Sequence, residues 1–359
     1  MATVFNATGT NGLQLTPDNS YSVTFQGASS LIDFYVNGDV RVAANVAAGT
    51  TVNAATDMNA GGNITAVGTV VMGSSFLRNR VINGAFEISQ YYGSSFVTGG
   101  VTNGYVVDRW IAAASPSASA AGQVATDPYG SGNTYVYKFT GTSTNTSIAL
   151  IQRIESYNIA DLAGKTVTLS ATFSNTLLST VSWAAYYPTA QDNYASVTAI
   201  ASGTFTTSPV QGRSSVQIAL PAGAANGLEI IFSVANQTSG SWVISQVQLE
   251  AGSIPTAFER RPISQELALC QRYYNAIGQV SVTGLCTSGA SLTAQYSFPV
   301  TMRGAPTVAN LTASATSSIS TSLSSTVLGA AAVVIVGNGT SGGATNSSFT
   351  AAFSLSAEL

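Results

Sequence analysis

Hydrophobic and polar positions alternate with period two through much of the chain. In KTVTLSATF, Val167, Leu169, Ala171 and Phe173 fall on one side and Thr166, Thr168, Ser170 and Thr172 on the other. Val216, Ile218 and Leu220 repeat the pattern, as do Leu228, Ile230, Phe232 and Val234, and again Leu292, Ala294, Tyr296 and Phe298. Successive side chains of a strand point to opposite faces, so these segments predict half-buried antiparallel strands. TGTSTNT (140–146), PAGAANG (221–227) and ANQTSG (235–240) separate them and read as turns. Many short strands with such punctuation predict an all-β protein built as a sandwich or barrel.

Three stretches depart from this rhythm. Ile263, Leu267, Cys270, Tyr274 and Ile277 lie on a heptad-like stripe, with Pro262 and Ser264 placed to start a helix and Gly278 to end it. They predict one short connecting helix over 261–278, about four turns long, with a narrow apolar seam. Such a seam suits one partner, either a neighbouring sheet or equivalent helices around an axis. From Val36 to Val71 the apolar residues are small, and short β-branched pieces (VRVAANV, TTVNAAT, NITAVGTVV) recur between Gly and Asn. Residues 41–76 therefore read as a repetitive β-rich stem that needs other copies of the chain for its core. A flexible linker is the competing reading, but Val and Thr favour strands. Residues 279–359 read as a small C-terminal β tip domain. Its apolar segments VLGAAAVVIV (327–336) and FTAAFSL (349–355) are expected core strands, and the polar runs 313–326 and 337–348 are expected loops.

The chain has 359 residues, enough for two or three domains. Charged residues make up 8%, against roughly 25% in an ordinary domain. The 45% apolar content is sufficient for packed cores. A net charge of −3 without a basic patch makes nucleic acid and anionic membrane poor partners. Histidine is absent, which removes Ser-His-Asp and Cys-His catalysis and the commonest metal ligand. The two cysteines, Cys270 and Cys286, are too few for a metal cluster and are expected to be reduced and structural. The opening MATVFNATGT has neither basic region nor apolar core, so no signal peptide is expected, and Val327–Val336 is too short to span a membrane.

The scarce charge is concentrated. Of 12 basic and 15 acidic residues, 27 in all, Glu250, Glu259, Arg260, Arg261, Glu266 and Arg272 fall within one short segment. That segment, QVQLEAGSIPTAFERRPISQELALCQRYY (246–274), resembles the junction of many bacteriophage tail-fibre and receptor-binding proteins, where a jelly-roll sandwich akin to carbohydrate-binding modules meets a connecting helix. LRNRVINGAFEISQ (77–90) and GYVVDRW (104–110) look like the opening strands of the same module, DLAGKTVTLSATF (161–173) like its middle, and FPVTMRGAPTV (298–308) like the start of the C-terminal β-domain. The resemblance covers roughly 77–308. It implies a homotrimeric virion protein, assembled in the host cytoplasm and carried on the tail. Residues 1–40 would attach to tail or baseplate proteins, 77–260 would form the sandwich, and the partner outside the virion would be a host-surface glycan. A purely structural connector or decoration protein and a polysaccharide-degrading tailspike are the alternatives. No carboxylate pair sits in a recognisable glycosidase motif, so an enzyme is not expected. No cofactor is expected either. Related modules often hold a structural calcium near the segment that matches NGAFE. Glu87 would suit it, but Gln246 stands where an acidic partner belongs, so no metal is expected.

Three groups of candidate residues follow. Glu250, Glu259, Arg260, Arg261, Glu266, Leu267, Cys270, Arg272 and Tyr274 are candidates for a trimer or domain lock, with the arginines forking onto those glutamates or onto carbonyls. Trp183, Tyr186, Tyr187, Asp192, Asn193 and Tyr194 are glycan-binding candidates, because a sugar stacks its C–H face on an aromatic ring while a carboxylate or amide bonds its hydroxyls. Trp183 and Tyr187 share one strand face, so the competing reading places them in the core. Asn338, Thr340 and Asn346 are tip-loop candidates. Trp110 is expected to be structural, with Asp108 and Arg109 pairing locally. Alkylation under denaturing, non-reducing conditions should modify both cysteines. A mass lower by two hydrogens would reveal a bridge instead.

Overall fold

The alternating segments form antiparallel sheets in the computed structural model, which describes residues 77–359 apart from 92–103, 117–119, 127–133, 143, 176–179, 208–211, 236–238 and 341. The attachment segment and stem expected over 1–76 lie outside the described residues. With strands numbered in chain order, one sheet runs β1 (Gly104–Val107), β2 (Trp110–Ser115), β5 (Ser147–Ile154), β10 (Leu228–Ala235), β7 (Thr180–Ala190) and β8 (Asn193–Thr206). The second runs β3 (Ala120–Thr126), β4 (Tyr135–Gly141), β11 (Ser241–Ala251), β6 (Thr166–Asn175) and β9 (Gly212–Ala219). The protein is all-β, and these two sheets make a sandwich.

Its core is the apolar face of each alternating segment. Val167, Leu169, Ala171 and Phe173 of β6 are buried against Leu228, Ile230, Phe232 and Val234 of β10. Phe173 meets Phe205 at 5.3 Å and Phe232 at 5.8 Å between ring centroids, tilted and edge-on, the arrangements that aromatic pairs favour. The expectation of a half-buried strand fails for β6, and β11 is likewise buried on both faces. Thr168, Ser170 and Thr172 are buried as well, as are Gln248 and Glu250. The reason is a polar cover. Thr168 donates to the Gly252 carbonyl at 2.8 Å, Arg213 donates to Ser170 Oγ at 2.7 Å, and Glu250 receives the Thr256 amide at 2.8 Å. These side chains are polar because what lies over them is backbone and hydrogen-bonding groups rather than another apolar layer.

The expected four-turn helix is shorter. A single-turn helix α1 (Ser156–Ile159) precedes it, and α2 spans only Ile263–Gln271. Pro262 stands at its N-cap without a side-chain cap bond, so Ser264 lies inside the first turn. From Tyr274 the chain is strand β12 (Tyr274–Cys286), paired with Ser356 and its predecessors. Tyr274 and Ile277 therefore belong to a sheet and not to a helical seam. Sheet pairing overrides the heptad spacing here, as tertiary contacts routinely override local pattern.

Beyond α2, β12, β17 (Thr345–Ser356) and β14 (Thr307–Ser317) form one three-stranded sheet, and β13 (Ser291–Ser297), β16 (Ala332–Gly339) and β15 (Ile319–Leu328) form another. Ile277, Val333, Ile335, Phe349, Phe353 and Leu355 are buried between them. The run 313–326, expected as a loop, belongs to β14 and β15. Its Ser and Thr residues alternate with Ile, Leu and Ala at the edges of small sheets, where hydroxyls meet solvent without loss of pairing. The core segment 327–336 is broken by a turn at Gly329, whose φ of 67° is the left-handed conformation glycine accepts without strain. The described residues belong to one compact unit.

The segment 77–90, expected as an opening strand, is an irregular arm. Asn83 and Phe86 hold φ of 57° within it, and Phe86 is fully buried against Trp110 at 5.2 Å and Tyr137 at 5.7 Å. Gly84 allows the arm to touch β11. A Cβ there would lie 2.2 Å from the Val247 carbonyl oxygen, while Val247 N donates to Gly84 O at 3.0 Å. Gly84→Ala should lower stability by about 2–4 kcal/mol, read as a shifted urea midpoint with an unchanged m-value.

Candidate functional site

An irregular arm buried inside a protein must place each backbone polar group without a ladder. Here side-chain amides do so. Asn79 Nδ2 donates to Val247 O at 3.1 Å, and its Oδ1 accepts from Val81 N at 3.0 Å and from Leu249 N at 3.1 Å. Asn83 Nδ2 donates to the carbonyls of Ile88 (2.8 Å) and Asp108 (3.0 Å), and its Oδ1 accepts from Ile88 N at 3.1 Å. Gln152, on β5, grips Ile82 by both amide and carbonyl, at 2.9 and 2.8 Å. Arg80 N donates to Leu249 O at 2.8 Å, and Trp110 Nε1 donates to Asn83 O at 3.0 Å.

The charged segment closes on this arm. Glu259 accepts from the amides of Leu77 and Asn79, and Glu266 from that of Asn83. Arg261 donates to the carbonyls of Asn79 and Val81 and pairs with Glu266 at 3.2 Å. Arg260 pairs with Glu87 at 2.6 Å, Arg272 with Glu155 at 2.8 Å, and Glu250 lies 3.5 Å from Arg78. Of the expected forks onto the segment's own glutamates or onto carbonyls, Arg261 takes both, Glu266 and two arm carbonyls. The glutamates paired with Arg260 and Arg272 lie outside the segment, on the arm and on the β5–β6 connection, rather than at Glu250 or Glu259. Leu267 and Cys270 pack on Ile82, Ile88 and Tyr273, so the helix's apolar side meets the arm of its own chain. Burial pushes the Cys270 thiol well up, with Asp108 and Glu266 adding to the effect, and both cysteines are buried and free.

The same cluster holds the C-terminal domain. Tyr274 stacks on Tyr91 with centroids 3.6 Å apart, and Gln90 Nε2 donates to Tyr274 O at 3.0 Å. Asp108 and Arg109, expected to pair with each other, are both buried and bond different partners. Asp108 accepts from Gln90 N and Nε2, both at 2.6 Å, whereas Arg109 binds Glu358 and lies 3.6 Å over the Tyr273 ring. Burial raises the Asp108 pKa against the two Gln90 bonds, which hold it down. Trp110 is fully buried.

Most of the proposed sugar platform is structural. Trp183 is 5% exposed and packs in the sandwich core. The Tyr187 ring packs against that core and lies over the turn at Gly223, where a Cβ would come within 2.4 Å of it. Tyr194 is buried, with its hydroxyl on the Ile154 carbonyl at 2.6 Å. Asp192 receives the Ser156 amide and hydroxyl at 2.7 and 3.0 Å. Of the six, Tyr186, half-buried on β7, and exposed Asn193 are left to meet a ligand. Tyr194 of β8 faces inward and so shares no exposed surface with Tyr186 of β7.

The tip-loop segment is also shorter than expected. Asn338 is the last residue but one of β16, where Ser291 donates to its side chain at 2.9 Å, and Asn346 is the second residue of β17. Only 340–344 connect the two strands, and Asn338, Thr340 and Asn346 are exposed. Glu87 is engaged by Arg260, and Gln246 accepts from Thr172 Oγ1 at 3.0 Å. Asn79, Asn83, Gln152 and Gln248 were missed as site residues. They are uncharged amides, and only the segments quoted for the resemblance pointed to three of them.

No family model matches the chain, and no curated protein matches it. Solved structures similar to it include the enzymatically active domain of tailspike protein 4 of bacteriophage CBA120, at 16% identity and TM-score 0.35 over 49% of this chain and 22% of that one. TmCBM61 in complex with β-1,4-galactotriose is similar at 14% identity and TM-score 0.31, over 49% of this chain and 99% of that one. The xylan-binding domain CBM22-2 from Paenibacillus barcinonensis is similar at 16% identity and TM-score 0.30, over 43% and 98%. This chain spans about a fifth of the tailspike chain.

Replacing Arg261 by Ala leaves Glu266 buried without its cation and strips two arm carbonyls of their donor. The expected loss is about 3–5 kcal/mol, read by chemical denaturation. Arg260→Ala, at a half-exposed pair, should lose under about 1 kcal/mol.

Proposed function

We propose that this protein is a tail fibre of a bacteriophage, a non-enzymatic, homotrimeric adhesin that joins the tail through its N-terminal segment and holds a glycan on the host surface. The observation that carries this reading is the junction. The segments whose wording resembles phage receptor-binding proteins, 77–90 and 246–274, are distant in sequence and meet in one buried polar cluster. That cluster grips the arm that follows residues 1–76, the sandwich and the C-terminal domain together. An adhesin under load needs such a joint, because a receptor-binding domain on a loose tether loses its orientation. The sandwich architecture and the hydroxyl-rich, charge-poor composition suit a surface that meets polysaccharide through neutral hydrogen bonds.

The test is a glycan array probed with the intact protein, together with light scattering and competition of purified protein against phage adsorption. A mass near three times the 36.6 kDa chain, retention of one set of bacterial oligosaccharides and blocked adsorption are expected. A stable monomer would overturn the trimer. Silence on the array with a correctly folded protein would leave a structural virion role, and shortening of the bound oligosaccharides would reveal a tailspike.

A further inference from the structure

Tyr135 stands apart from the aromatic residues of the 183–194 segment. On β4, Tyr135, Tyr137 and Phe139 share one side. Phe139 and Tyr137 are buried, and Tyr137 packs on Phe86 of the arm. Tyr135 is one step further along and runs past the end of the sandwich, where it is 37% exposed. Its ring lines an open cleft of about 530 Å³. The other walls are Glu87, Thr134, Arg260, Arg261, Pro262 and Ile263. That volume lies in the range of small-ligand sites, roughly 300–1,000 Å³.

The lining has the two halves that sugar recognition needs. A hexopyranose presents C–H groups on one face and hydroxyls around its edge. Tyr135 supplies a ring, and Ile263, 56% exposed, supplies a second apolar contact. Glu87 and Arg260 stand together as an acceptor and a donor 2.6 Å apart. Neighbouring hydroxyls can bond both members of such a pair, with charge assistance on each side. The Glu87 carboxylate is 9% exposed and the Arg260 side chain 51%, so the pair has one dry side and one open side. Burial raises the Glu87 pKa while Arg260 opposes it. A carboxylate short of water in this way gains from hydroxyl donors. The pair is neutral overall, and Arg261 is committed to Glu266 and the arm carbonyls. The cleft therefore offers an anionic sugar no cation that is not already matched by a carboxylate.

We propose that this cleft is a subsite for a neutral hexopyranose or N-acetylhexosamine residue, with Tyr135 stacking on the ring and Glu87 and Arg260 bonding adjacent hydroxyls. The proposal rests on the glycan-binding reading above and deepens it by naming a site and a sugar class.

The probe is the neutral oligosaccharide best retained by wild-type protein on the array, titrated calorimetrically against the intact protein. Tyr135→Ala should weaken it about tenfold or more, as loss of a stacked ring does, and Tyr135→Phe should bind like wild type. Thr134→Cys, labelled with a bulky maleimide, gives a second measurement that leaves Tyr135 in place. Thr134 is exposed beside the ring, while the native cysteines are buried, so folded protein should react at this position, and the label should abolish binding. Equal affinity in Tyr135→Ala and the labelled variant would overturn the subsite and leave glycan binding elsewhere. If Tyr135→Ala does not fold, the labelled variant decides alone. Retention of acidic oligosaccharides only would overturn the sugar class, and failure of wild type to bind any oligosaccharide would overturn the functional reading itself.

Discussion

The structure depends on the hydrogen-bond satisfaction of one irregular arm. Residues 77–90 run through the protein without forming a strand, bonded to β11 by isolated backbone contacts, yet Asn79 and Asn83 are 4% and 1% exposed. Each buried amide or carbonyl left unpaired would cost about 1–3 kcal/mol. The arm is tolerated because Asn79, Asn83 and Gln152 act as substitute backbone, bonding main-chain groups in both directions. Asn has the right chemistry for this, a short side chain with both donor and acceptor and some tolerance of positive φ. A hydrophobic residue in either place would leave several orphaned groups at once.

The charged segment is the second half of the same device. Buried ion pairs contribute little net stability against well-packed apolar groups, but breaking one is expensive. Directionality is their use here. Arg261 has a planar fork of donors that reaches two arm carbonyls and Glu266 together, and Lys has no equivalent geometry. Glu259 and Glu266 meet arm amides, which a hydrophobic contact cannot orient. Arg109, Glu358 and Tyr273 extend the cluster to the far end of the chain. Local geometry in the arm, the helix and the last strand is therefore interdependent.

Much of the fold was legible because period two is a direct consequence of strand geometry. The faces of β6, β9 and β10 follow from Val167 to Phe173, Val216 to Leu220 and Leu228 to Val234. The failures have physical causes of their own. The spacing from Ile263 to Ile277 is real, but Tyr274 had a waiting partner in Ser356, and sheet pairing ended the helix first. The serine-rich run 313–326 looked like a loop because both faces of a thin edge strand can be polar. The second face of β6 reads as solvent-facing because a polar cover and water leave the same mark on a sequence.

The site was less legible than the fold, and the reason is general to β-sandwiches. A sequence shows which aromatic residues share a strand face, but not which face another segment covers. Trp183 and Tyr187 share a face, as the spacing requires, and that face is the core or the turn at Gly223. Tyr194 has a hydroxyl suited to a sugar, yet the Ile154 carbonyl takes it. Tyr135 carries the opposite lesson. It occupies a core-facing position by alternation and would be assigned to the interior, but β4 begins before the interior does. A residue at the end of a strand keeps its facing direction and loses its cover, and this is where an aromatic ring becomes available to a ligand without any cost to the core.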